Sequence, residues 1–136
     1  MMLPMNTGAE AVETALKLAR KWAYVKKGVP QYEAVIISAK GCFHGRTIAI
    51  VSMSDDHSAR DGFGPFVPGV VNVEYNNPQA LKEKIKEFGN RVAAFLVEPI
   101  QGEAGVVVPD DGYLAECQRI CKENNVLMIC DEIQTV

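Results

Sequence analysis

The sequence predicts an α/β domain: a mostly parallel sheet with helices on both faces. Three observations point there. Short, continuously apolar runs recur at "AVIISA", "VAAFLV" and "VLMIC", the pattern of strands covered on both sides. Longer amphipathic segments alternate with these runs, as crossovers between parallel strands require. Each run also leads into glycine or an acid, at Gly41, Glu98 and Asp131, and sheets of this kind hold ligands beyond the carboxyl ends of their strands.

The first element is a helix from Ala9 to Lys26, with Ala11, Ala15, Leu18, Ala19 and Trp22 on one face and Lys17, Arg20 and Lys21 largely off it. Thr7 and Glu10 form a capping box at its start, and Gly28 and Pro30 end it. A buried strand follows from Ala34 to Gly41. "TIAIVSMS" suits either a short helix or a strand, and "DGFGPFVPG" is a loop punctuated by glycine and proline. Val70 to Tyr75 reads as a strand. Pro78 opens a helix that runs to Phe88. A second buried strand begins at Val92 and is stopped by Pro99. Gly112 to Asn124 is helical, and Val126 to Cys130 is the closing strand.

Composition narrows the function. At 136 residues the chain has the length of one ordinary domain, and its net charge of −3 leaves no basic stripe for nucleic acid and no polybasic membrane patch. The apolar runs are too short to span a membrane. Four cysteines and two histidines, without a CxxC pair, fit no zinc spacing. Cys117 and Cys121 stand one helical turn apart and read as small buried hydrophobes, which favours a reducing compartment. "MMLPMNTGAE" has neither the charged start and apolar core of a secretory signal nor the Arg/Ser-rich character of a transit peptide.

Four polar features fall at strand ends or at a helix start. In "NTGAEA" the capping box accounts for Thr7 and Glu10, while the N–H groups of Gly8 and Ala9 stay free at a helix N-terminus, an arrangement that binds phosphate readily. In "GCFHGRT", Phe43 and His44 offer flat rings and Arg46 a forked, permanent cation able to clamp a carboxylate; a turn with an anchored Phe43 and a solvated Arg46 is the plainer reading. In "VEPIQGEAGVVVP", Glu98 and Glu103 form a candidate pair of carboxylates, although Glu98 before Pro99 also suits a bond to backbone. In "CDEIQT", Asp131 leaves the sheet at its ligand edge with Gln134 after it, and Glu132 faces solvent. "GFGPF" lacks the third glycine of a dinucleotide fingerprint and lies in a proline-broken loop.

A phosphate anchor, a ring stacker and an acid for a ring nitrogen are what pyridoxal 5′-phosphate requires. Its pyridinium must stay protonated to withdraw electrons, and a partly buried carboxylate at hydrogen-bond distance favours that charged form. Asp131, Phe43 and the Gly8 and Ala9 amides supply those parts.

"NTGAEAVETALKLARKW", "FHGRT", "DGFGP", "VEPIQGEAGVVVPDDGYL" and "DEIQT", in that order, resemble the class III pyridoxal-phosphate aminotransferases along essentially the whole chain. The first, third and fourth look like the ornithine branch, with the acetylornithine and 4-aminobutyrate branches as neighbours. The resemblance implies that residues 1–136 are the central part of the cofactor-binding large domain of the fold type I transferases. It implies that Asp131 pairs with the pyridinium nitrogen, Gln134 lies near the phenolic oxygen, and Gly8 and Ala9 hold the phosphate. Phe43 would cover the ring with His44 beside it. Arg46 would bind a substrate carboxylate, and Glu103 would neutralise a second arginine outside the chain so that a δ-amino end can enter. Amino acid and 2-oxo acid substrates, a homodimer, and a matrix or cytoplasmic location follow from the same resemblance.

The family's Schiff-base lysine has no counterpart among these residues, so the chain alone is expected to be inactive; because its strands read as buried on both faces without the segments that complete and cover the family's sheet, it is also expected to fold poorly. Two other readings remain: a non-catalytic pyridoxal-phosphate-binding relative, and a generic nucleotide-binding α/β module.

Overall fold

Four strands, β1 (Val35–Ala39), β2 (Val70–Val73), β3 (Val92–Val97) and β4 (Leu127–Cys130), lie parallel in the order β2-β1-β3-β4 in the computed structural model of residues 1–136. Every residue of the two central strands is buried, which is why both read as unbroken apolar runs. β2 and β4 form the edges and are only half-covered.

Alternate residues of the central strands feed two separate cores. Ile37, Phe95 and Val97 pack against Leu81 and Ile85 of α4 (Pro78–Phe88) and against Cys117 and Ile120 of α5 (Tyr113–Glu123). On the opposite face, Ile36 and Leu96 pack against Val12, Leu16 and Ala19 of α1 (Gly8–Trp22) and Ile50 of α2 (Ile48–Val51). The β1–β3 register shifts at Val35/Ile36, and Ala93 and Ala94 consequently share one core, as an extra residue in one strand requires. Phe95 is fully buried, and its truncation to alanine is expected to cost about 3–5 kcal/mol.

The expected elements are present, with differences in detail. The buried stripe of α1 is Val12, Leu16 and Ala19, with Trp22 half-buried against the same core; of the expected face, Ala19 and Trp22 turn inward, whereas Ala11 is exposed and Leu18 is 56% exposed. Both stripes have helical spacing, and the one bearing branched aliphatics at Val12 and Leu16 wins because it fills more of the core. The helix also continues as a π-turn, Ala23–Lys27, before Gly28 takes a φ of 80°. "TIAIVSMS" resolves as α2, with the Ser52 hydroxyl donating to the Ile48 carbonyl at 2.8 Å. Finally, a short α3 (His57–Arg60), capped by Asp56, was not anticipated, and β2 stops at Val73.

The chain leaves β1 towards β2 and leaves β3 towards β4, in opposite directions across the sheet. That divergence opens a crevice beyond the carboxyl ends of β1 and β3. No helix is long and apolar enough to cross a membrane.

Candidate functional site

Four segments meet at this crevice. The start of α1 is capped as expected: the Thr7 hydroxyl accepts the Glu10 N–H at 3.1 Å. The Glu10 carboxylate returns a bond to the Asn6 N–H at 3.0 Å, one residue earlier than a reciprocal box. The Gly8 and Ala9 amides find no acceptor within the chain. Gly8 is dictated by space, because a Cβ there would sit 2.8 Å from Ile133 Cγ1.

The turn after β1 carries Phe43 and His44. Gly45 adopts a φ of 130°, and a Cβ on it would come within 3.0 Å of the Ala9 Cβ, so the turn lies directly against the start of α1. Phe43 is half-buried, and the Arg46 guanidinium lies 5.8 Å from its ring centroid. His44 Nδ1 meets Asp131 Oδ2 at 2.7 Å, and their side chains are 0% and 7% exposed. Burial opposes protonation of His44, but the hydrogen bond to Asp131, the Cys42 sulfur and the Asp131 charge outweigh it, lifting the pKa from 6.5 to about 9. The other ring nitrogen, Nε2, is buried without a partner.

Asp131 follows β4. Its N–H donates to the Val97 carbonyl at 2.9 Å, which fixes the backbone at the sheet edge. Its Oδ1 accepts the Ile133 N–H at 3.2 Å. Gln134 lies over Gly102, where any Cβ would collide with it, and its Nε2 is 3.5 Å from Glu103 Oε1. Glu132 is exposed, as expected.

Of the two readings open for Glu98, the bond to backbone is the one formed, and Glu98 does not pair with Glu103. Glu98 is 4% exposed and its Oε2 accepts the Phe43 N–H at 3.0 Å. Glu103 is exposed on the following hairpin beside Gln134. Their spacing lies in an irregular loop, where no period carries two side chains to one face. Burial raises the pKa of Glu98, opposed by the Phe43 N–H, the His44 charge and the Gly102 N–H.

Gly8, Ala9, Phe43, His44, Asp131 and Gln134 all line one cleft of about 190 Å³. Arg46 and Glu103 line an adjoining cleft of about 650 Å³ that shares Phe43, His44 and Gly45 with the first. Sequence reasoning missed Ile133, whose side chain closes onto Gly8, and the Asp55, Asp56 and Phe63 wall of the larger cleft. Asp56 could have been found, since its carboxylate takes both the N–H and the hydroxyl of Ser58, a signal written in "DDHS". No lysine lines either cleft.

This donor set fits pyridoxal phosphate. Unpaired amides at a helix N-terminus suit an anion, and glycines at positions 8 and 45 leave no room for side chains between that end and its neighbours. A nearly buried carboxylate backed by a histidine suits a protonated ring nitrogen.

The class-III aminotransferase family model matches residues 1–135. The mitochondrial ornithine aminotransferase of Arabidopsis thaliana is 59% identical over 135 residues, 99% of this chain and 28% of its own length. A crystallised ornithine aminotransferase from Toxoplasma gondii, with partial occupancy of PLP at its active site, superposes with a TM-score of 0.93 at 50% identity over 96% of this chain and 30% of that one. The acetylornithine aminotransferase of Elizabethkingia anophelis superposes with a TM-score of 0.78 at 53% identity, over 98% of this chain and 31% of its own. The chain thus spans about a third or less of the length of these proteins.

Proposed function

The chain belongs to the class-III aminotransferases, and from that membership we propose that its crevice holds pyridoxal 5′-phosphate in an ornithine aminotransferase. In this reading residues 1–136 are the central part of the cofactor-binding large domain. The native protein, a homodimer of the matrix or cytoplasm, moves the δ-amino group of L-ornithine to a 2-oxo acid and leaves glutamate 5-semialdehyde. The observation that carries it is the convergence of Gly8, Ala9, Phe43, His44, Asp131 and Gln134 on one cleft, with Arg46 and Glu103 on the next.

When bound, the cofactor supplies an aldehyde that takes up amines and a ring that withdraws the electron pair released at carbon. The residues of the chain do the rest. The Gly8 and Ala9 amides hold the phosphate, and the α1 dipole favours its charge. Phe43 covers one ring face and excludes water from it. Asp131 keeps the ring nitrogen protonated, and His44, 2.7 Å behind it, orients that carboxylate. Gln134 donates towards the phenolic oxygen. Arg46 clamps a substrate carboxylate through its fork. Glu103 sets which end of the donor enters. The lysine amine that transamination needs is not among the cleft residues, so the 136 residues alone are expected to bind the cofactor without turnover.

The test is spectroscopic and kinetic. Native-length protein given pyridoxal phosphate should show a visible absorbance band and turn over ornithine faster than acetylornithine or 4-aminobutyrate. Absence of the band would remove the cofactor reading; ornithine as the poorest of the three donors would remove the branch assignment. Acetylornithine is the second reading, favoured by the 53% identity to the Elizabethkingia anophelis enzyme.

A further inference from the structure

Glu98 is a buried carboxylate with no cationic partner of the lysine or arginine kind. It is 4% exposed, and none of the chain's ion pairs includes it. Burying a carboxylate is costly unless hydrogen bonds replace its water. Here the replacement is the Phe43 N–H, which donates to Glu98 Oε2 at 3.0 Å; such a bond to an ionised acceptor is roughly twice as strong as a neutral one.

The surroundings hold this carboxylate in place. The Tyr75 hydroxyl lies 3.2 Å from the Glu98 carbonyl and 3.0 Å from that of Pro99, pinning the backbone from which the side chain springs. Gln101, 3% exposed, ties the same two segments a second time through Nε2 to the Lys40 carbonyl at 2.7 Å. Gln101 and Val107 exchange backbone hydrogen bonds of 3.1 and 2.8 Å, closing the hairpin that carries Glu103. Val106 within it takes a φ of 60°, a strained conformation for a β-branched residue, so the hairpin's shape depends on the ties at its base.

We propose that Glu98 is a positioning residue that couples the two halves of the site: it locks the turn bearing Phe43 to the hairpin bearing Glu103, and so sets the Glu103 carboxylate relative to the stacked ring. Glu98 lines the smaller cleft beside Phe43 and Asp131, and it acts by holding the Phe43 turn. Its effect is on which amine donor is presented correctly, and it rests on the reading of the site given above.

The experiment is Glu98→Gln in the native-length holoenzyme, with the amine-donor and oxo-acid stages measured separately. Glutamine keeps the size and an acceptor for the Phe43 N–H but removes the charge that strengthens that bond. The expected result is a retained visible cofactor band, a fall of about 10- to 100-fold in kcat/KM for ornithine, and a change of less than about threefold for the oxo acid. The preference for ornithine over 4-aminobutyrate narrows accordingly. Equal losses in both stages, or no loss in either, overturn the proposal, because a purely structural role lowers the active fraction and scales both alike. If Glu98→Gln does not fold, Gln101→Met cuts the parallel tie and reads the same coupling, with the same unequal loss expected and equal or absent losses overturning it. A wild-type protein with no cofactor band instead refutes the functional reading, and is thereby distinguishable.

Discussion

Asp131 and His44 show how a single pair of side chains can combine a stability effect with a functional one. Their 2.7 Å contact is almost wholly out of water, and it raises the His44 pKa to about 9 despite burial. A group whose pKa is raised on folding stabilises the folded state fully below its unfolded value and loses that contribution as pH climbs through the folded value. The stability supplied by His44 should therefore be complete below about pH 6.5 and decline between there and about 9. Cofactor-free protein is predicted to lose thermal stability over that window, and His44→Asn, which keeps a donor but cannot titrate, should flatten the slope. An unchanged slope in the variant would show that other groups are responsible.

Among elements, the start of α1 is tightly constrained. Gly8 has no room for a methyl group because Ile133, two residues beyond Asp131, already occupies the space, at 2.8 Å from where its Cβ would stand. Gly8→Ala must push α1 and the Asp131 segment apart. Overpacking of this kind costs about 1–3 kcal/mol, and if it falls on the bound state the cofactor's dissociation constant rises about 5- to 150-fold. The double variant Gly8→Ala/Ile133→Ala should recover most of that affinity in a pyridoxal-phosphate titration. Failure to recover would mean that Gly8 matters for its own backbone and not for Ile133.

The same scale shows what the sequence made legible. The runs ending near Gly41, at Glu98 and at Asp131 were readable because a strand buried on both faces leaves little alternative for five or six apolar residues. The carboxyl-edge rule then brought Phe43 and Asp131 to one place. The buried stripe of α1 was read correctly at Ala19 and Trp22 but not at Ala11 and Leu18, because apolar residues ring more than half of that helix and spacing alone does not rank two stripes. The Glu98–Glu103 relation was unreadable because the loop between them has no period; only the burial of Glu98, its bond from the Phe43 N–H and the exposure of Glu103 reveal that one acid is internal and the other external.

For the whole molecule, the two cores are unevenly closed. The central strands are fully buried, yet Leu127, Met128 and Ile129 on β4 are only partly covered, and Ile48, Phe63, Val106, Val108 and Ile133 are exposed. Half-covered edges with free backbone groups invite association. The 136 residues alone are predicted to unfold in urea over a broad range, with a slope below the roughly 1–3 kcal/mol/M of small cooperative domains, and to gain cooperativity when pyridoxal phosphate is added. A sharp transition without the cofactor would contradict this.

The central claim is that Asp131 holds the ring nitrogen of pyridoxal phosphate in its protonated form. Nitrogen-15 magnetic resonance of native-length protein loaded with ring-labelled cofactor reads that proton directly. The account predicts a pyridinium shift at neutral pH in the wild type and an unprotonated pyridine in Asp131→Asn. An unprotonated nitrogen in the wild type, or a pyridinium in both, would contradict it.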